Sequence, residues 1–113
     1  MGGPMTGWAQ SSLDVPVVKG TSGIVALPEW MVSETKWHNC VRCGKCVKAC
    51  PMFLMPSFIG MYAEAHNYDK AEKFDVLDCF ECGACAYVCP SRRPLVQFFR
   101  NAKAEIMARR RRA

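Results

Sequence analysis

Cys40-Val41-Arg42-Cys43-Gly44-Lys45-Cys46-Val47-Lys48-Ala49-Cys50-Pro51 and Cys79-Phe80-Glu81-Cys82-Gly83-Ala84-Cys85-Ala86-Tyr87-Val88-Cys89-Pro90 repeat one pattern, C-x2-C-x2-C-x3-C-P. All eight cysteines of the chain lie in these two runs. Three thiolates at this close spacing wrap one face of an iron–sulfur cubane on a tight turn, and the fourth, followed by proline, reaches the other cluster in chains that hold two. The spacing therefore predicts one [4Fe–4S] cluster held by Cys40, Cys43, Cys46 and Cys89. A second is expected on Cys79, Cys82, Cys85 and Cys50. The same eight residues are the expected metal ligands, and no catalytic side chain is expected.

Disulfides and zinc are the plainer readings of eight cysteines, and the pattern disfavours both. Small disulfide-stapled domains are secreted, whereas the first residues here are Gly- and Pro-rich and lack the basic start and apolar core of a secretory signal. Cysteines three apart on a short turn also pair poorly with one another. Structural zinc uses C-x2-C pairs, but it gains nothing from a third cysteine at that spacing and a trailing Cys-Pro.

At 113 residues the chain holds one domain's worth of material. Its apolar segments are short, so bound clusters should supply much of the folding energy, as metals do in small metal-dependent domains. Reduced thiolates point to a cytosolic or otherwise reducing setting. No apolar run reaches the roughly 18 residues that a membrane span needs. The formal charge of +5 belongs to the empty chain. Two cubanes, each about −2 with its four thiolates, bring it near +1. That removes the basic surplus on which a nucleic-acid partner would depend.

Residues 1–36 read as a linker or β segment left from a larger upstream region, and residues 37–113 as the two-cluster domain. Leu13–Val18 and Ile24–Leu27 look like short strands around the turn Lys19–Gly23, a hairpin too small to be stable alone. Gly44 and Gly83 occupy the same place in each run and should turn the backbone with φ > 0. Lys45–Ala49 and Ala84–Val88 should each make a helical turn stopped by Cys-Pro. Between the runs, Pro56 opens a helix extending to about His66, with Phe58, Ile59, Tyr62, Ala63 and Ala65 on its apolar face. Asp69–Phe74 suits a second short helix. Pro94 to about Arg110 carries the stripe Phe98, Phe99, Ala102 and Ile106, ending in Arg109–Arg112, where cations suit the helix dipole. The fold class expected is mainly α: an α-helical ferredoxin-like domain with two [4Fe–4S] clusters, preceded by the hairpin-like segment. The two apolar stripes should meet and clamp the clusters between them. Trp37, Met52, Phe53 and Tyr87 are expected in the core. His38 and His66 are expected to be structural, His66 as a helix C-terminal cap. Arg42, Lys45 and Lys48 should make the surroundings of the first cluster more positive than those of the second, which has Asp78 and Glu81.

The residues around the cysteines resemble a family. Cys40–Cys46 with Cys50-Pro51-Met52, Asp78–Ser91, and Leu95–Arg100 with Ala102–Ile106 are similar to the cluster region of the C subunit of the Rnf complex. Upstream, Gly2–Met5 and Leu13–Gly23 resemble the stretch that links this region to the rest of that subunit. The resemblance implies an electron-transfer module within a membrane-associated, ion-translocating ferredoxin:NAD oxidoreductase, peripheral on the cytoplasmic face of the membrane. It implies partner subunits and a ferredoxin or cluster-bearing subunit as electron partner. FMN and NADH would bind elsewhere in the parent chain, because no G-x-G-x-x-G fingerprint occurs here. Modules of heterodisulfide-reductase-like, fumarate-reductase-like or cobalamin-reducing complexes are the alternative.

Overall fold

Each cysteine run folds into the same short element. In the computed structural model, which describes residues 7, 9–10, 12–32 and 36–112, Gly44 and Gly83 stand at φ 73° and 84° as the N-caps of two single-turn helices. These are α1 (Lys45–Lys48) and α4 (Ala84–Tyr87). The repetition extends to the backbone around them. Arg42 and Glu81, each just before the second cysteine, have φ 55° and 64°, while Phe53 and Arg92, each three past the last cysteine, have φ 55° and 50°. Left-handed backbone at non-glycine residues is uncommon and costs energy. Its recurrence at matching places marks two copies of one built loop. In each copy an N–H three residues past the last cysteine closes a turn onto that cysteine's carbonyl, Phe53 onto Cys50 at 3.2 Å and Arg92 onto Cys89 at 3.0 Å.

Three longer helices support the loops: α2 (Pro56–Glu64), α3 (Tyr68–Lys73) and α5 (Leu95–Arg112), with a 3-10 turn at Val76–Asp78. Pro56 stands at the first position of α2, where its missing N–H costs nothing. His66, with φ 55°, ends that helix in the left-handed region, and its Nδ1 lies 2.7 Å from the Tyr68 hydroxyl. Asn67 caps α3 by accepting the Lys70 N–H at 3.2 Å, so the helix begins at Tyr68, one residue ahead of the expected start at Asp69. The buried core comprises Ile59, Ala63, Ala71, Val76, Cys85, Leu95, Phe99, Ala102 and Ile106.

α2 and α5 do pack together, but of the face expected on α2 only Ile59 and Ala63 are buried. The buried residues of α2 are Pro56, Ile59, Gly60 and Ala63. Phe58 and Tyr62 turn instead toward Phe74, each with ring centroids 5.5 Å from it. Gly60 is the reason the helices can approach: a β-carbon there would lie 2.6 Å from Leu95 Cδ2. Phe98 is only partly buried, packing against the core while it meets Trp37 edge-on at 5.8 Å.

Contacts divide the chain into two units, Met1–Glu34 and Thr35–Ala113. In the first, the expected hairpin is not formed: no strand occurs among the described residues. Thr21 N–H closes a turn onto Val18 O at 2.9 Å, and Glu29–Met31 makes one 3-10 turn. Leu13, Val17 and Ile24 are exposed. A pair of short apolar runs with no further strand or helix to cover one face gains too little burial to hold a ladder.

Candidate metal centres

The eight cysteines line two cavities, four in each, and each set mixes the two runs. Cys40, Cys43, Cys46 and Cys89 line one, and Cys50, Cys79, Cys82 and Cys85 line the other. All eight are free thiols. Local chain geometry explains the exchange. The first three cysteines of a run follow the left-handed turn and the single helical turn, and so surround one space. The fourth lies just past the helical turn, where the chain has already reversed. Among the described residues no three His, Cys, Asp or Glu converge as a single metal ion requires. The thiols of each set instead ring a cavity, the arrangement that suits a group with several metal atoms, each taking one thiolate.

α2 and α5 supply a common wall rather than two jaws. Pro56, Val96 and Phe99 face the cavity of Cys50, Cys79, Cys82 and Cys85. Ser57, Phe58, Met61 and Leu95 face the other. The two sites differ in exposure: Cys40 and Cys43 are exposed, whereas Cys85 is buried. Burial pushes the Cys85 thiol up to about 12, with the neighbouring Cys79 adding to the effect. Burial likewise raises Cys46 and Cys79, against lowering hydrogen bonds from the Val47 and Glu81 N–H groups respectively. Low-dielectric surroundings disfavour a bare thiolate, and a bound cation removes that penalty by neutralising it.

Charges near the second site do not follow the sequence expectation. Glu81 lines its cavity, but its carboxylate is held by Arg100 Nε at 2.6 Å and Lys103 Nζ at 3.0 Å, both from α5. Burial works against ionisation of Glu81, yet the two cations outweigh it and hold its carboxyl below the usual value. The acidic bias is thus cancelled locally, and Asp78 is not among the lining residues. At the first site Arg42 and Lys48 do line the cavity, while Lys45 does not.

Other expected residues sit elsewhere. His38 is exposed and donates its backbone N–H to Ser91 O at 3.0 Å. Phe53 and Tyr87 are each 92% exposed and therefore not core, and Trp37 and Met52 are roughly half exposed. Met52 still lines the second cavity. At the end of α5, Arg109 pairs with Asp69 at 3.0 Å and Arg110 with Glu72, tying the last helix to α3.

Two residues of consequence escaped the sequence. Gly60 could have been found, since an isolated glycine inside a helical pattern signals close approach. Arg93 could not. It is buried, lines the first cavity and pairs with Glu64, although charged residues at chain turns are mostly exposed.

Residues 34–105 match a family described as a 4Fe-4S dicluster domain. The chain is 47% identical to the C subunit of the proton-translocating ferredoxin:NAD(+) oxidoreductase complex of Clostridium ljungdahlii, over 92% of this chain and 23% of that protein. It is also 47% identical to the C subunit of the Na(+)-translocating ferredoxin:NAD(+) oxidoreductase complex of Acetobacterium woodii, over 97% of this chain and 25% of that protein. The C subunit of the ion-translocating oxidoreductase complex of Yersinia enterocolitica is 49% identical over 94% of this chain and 15% of its own length. The chain spans a quarter or less of the curated relatives named here.

Proposed function

The chain belongs to the 4Fe-4S dicluster domain family, and on that premise we propose that it relays electrons between two [4Fe–4S] clusters in the C subunit of an ion-translocating ferredoxin:NAD oxidoreductase of the Rnf type. The observation that carries the proposal is the sorting of eight thiols into two four-cysteine cavities. Cys40, Cys43, Cys46 and Cys89 would hold one cluster, and Cys79, Cys82, Cys85 and Cys50 the other. Likeness to the C subunits of several such complexes over more than nine-tenths of the chain supports the assignment of the complex.

When bound, each cluster supplies one-electron oxidation and reduction near the thiolates that hold it. The protein's own part needs no acid, base or nucleophile. The cysteines position the metal atoms, the crossed fourth ligands keep the two centres in one rigid unit, and α2 and α5 keep water from their shared side. Buried charge and N–H donors adjust the potentials.

In this reading residues 1–36 lead from an upstream region that binds FMN and NADH, and residues 37–113 form the two-cluster domain. Electrons pass to or from a ferredoxin or a cluster-bearing partner subunit. The chain is peripheral on the cytoplasmic face of the membrane, held there by the other subunits, and no described helix is long and apolar enough to cross the bilayer. The test is anaerobic reconstitution with iron and sulfide. About eight irons per chain, broad visible absorption that bleaches with dithionite and paramagnetic signals from two reduced centres are expected. Two colourless metal ions per chain would defeat the proposal in favour of a zinc domain.

A further inference from the structure

Arg93 follows Cys89 by four residues and stands just before α5. It is 3% exposed and lines the cavity of Cys40, Cys43, Cys46 and Cys89. A guanidinium does not lose its proton in proteins, so this charge is permanent. One terminal nitrogen pairs with Glu64 Oε2. The rings of Trp37 and Phe98 flank the guanidinium carbon, with centroids at 6.0 and 5.5 Å. The Nε–H is left buried with no hydrogen-bond partner. An unpaired buried donor on a charged group is costly, and a fold that keeps one has a reason to hold the charge there.

The other cavity has no cation at the matching loop position, and the two cations near it, Arg100 and Lys103, do not line it and are both held by the carboxylate of Glu81, which does. Leu54 holds the matching place, four residues past Cys50, and lines the cavity of Cys50, Cys79, Cys82 and Cys85. Two loops that otherwise repeat each other down to their left-handed residues therefore present a buried cation to one site and an aliphatic side chain to the other. Glu64 does not cancel the difference. Its side chain is 37% exposed against 3% for Arg93, so water screens the carboxylate far more than the guanidinium.

We propose that the permanent charge of Arg93, buried in the wall of the cavity of Cys40, Cys43, Cys46 and Cys89, raises the reduction potential of the iron–sulfur group held there above that of the other. The proposal rests on the electron-relay reading. Reduction adds one electron and hence one negative charge to the group. A buried cation stabilises the reduced form more than the oxidised form. Under this reading Arg93 makes the centre beside it the first of the two to be reduced.

The test is a potentiometric titration of the iron-loaded protein followed by electron paramagnetic resonance. The signal lost in Cys43→Ser identifies the first centre. Arg93→Met should shift that centre to more negative potential and leave the other in place. Arg93→Lys, which keeps the charge but not the planar guanidinium packed between Trp37 and Phe98, should shift it in the same direction and less far. Glu64→Gln leaves Arg93 uncompensated and should shift the first centre the opposite way. Unchanged potentials in fully iron-loaded Arg93 variants would overturn the proposal, as would equal movement of both centres. If Arg93→Met fails to hold iron, Arg93→Lys and Glu64→Gln decide by the same criteria. A parent protein that takes up no iron would overturn the electron-relay reading, and this role with it.

Discussion

Gly60 of α2 lies against Leu95 of α5 so closely that a β-carbon at position 60 would sit 2.6 Å from Leu95 Cδ2. Leu95 is itself buried and lines the first cavity, so it has little room to yield. The contact sets the spacing of the two helices that wall both sites.

Gly60→Ala pits two effects against each other. Alanine favours the helix by about 1 kcal/mol over glycine, whereas overpacking of a tight core contact costs roughly 1–3 kcal/mol. A separation this short leaves overpacking ahead. The expected result is a lower thermal midpoint for loss of helical circular dichroism in the iron-loaded protein, by several degrees. A raised midpoint would show that α5 can back away at no cost.

Phe99 is 1% exposed and lines the cavity of Cys50, Cys79, Cys82 and Cys85. Phe99→Ala should cost roughly 3–5 kcal/mol through lost burial and a cavity that the helix pair cannot close. It should also open a path for water and oxygen to that site, so visible absorbance should decay faster in air. A half-life equal to that of the parent would mean the ring does not shield the site.

Cys50→Ser separates crossed ligation from ligation within each run. Because Cys50 lines the cavity of Cys79, Cys82 and Cys85, the reduced variant should lose or alter the signal of that centre and keep that of Cys40, Cys43 and Cys46. The reverse pattern, with damage confined to the first run's own centre, would refute the crossed arrangement.

Removing iron should unfold most of residues 37–113. The buried core is small, and the thiols of both cavities would have to be held near one another with nothing between them. Chelation under reducing conditions should therefore abolish most of the helical circular dichroism, as it does for metal-dependent small domains. Retention of most of that signal would show that the contacts of α5 with α2 and α3 suffice alone.

Much of the domain was legible in the residues. Paired Gly44 and Gly83 announced left-handed turns, and Pro56 and Pro94 marked where helices begin. The apolar period after Pro94 announced the long last helix. The misreadings share one cause. A helical stripe states which residues share a face, but Phe58 and Tyr62 found Phe74 as a partner while Gly60, outside the stripe, met Leu95 of α5. Phe53 and Tyr87 looked like core because they are aromatic, yet each lies on a loop or single turn whose other side chains already face a cavity. The strands expected near Val15 and Ile24 failed for want of neighbours. β structure is a property of pairing, and periodicity within one run cannot supply a partner.

The cysteine spacing by itself determined the class of domain, because ligand number, ligand type and loop length are local properties that the order of residues states outright. Only the tertiary structure decided what surrounds the two cavities. It buried Arg93 against one and placed Leu54 against the other, and it matched Glu81 with Arg100 and Lys103 from a helix about twenty residues away in sequence. Charge and exposure at a site depend on which distant segments close over it. That is settled by three-dimensional packing, and no pattern along the chain records it.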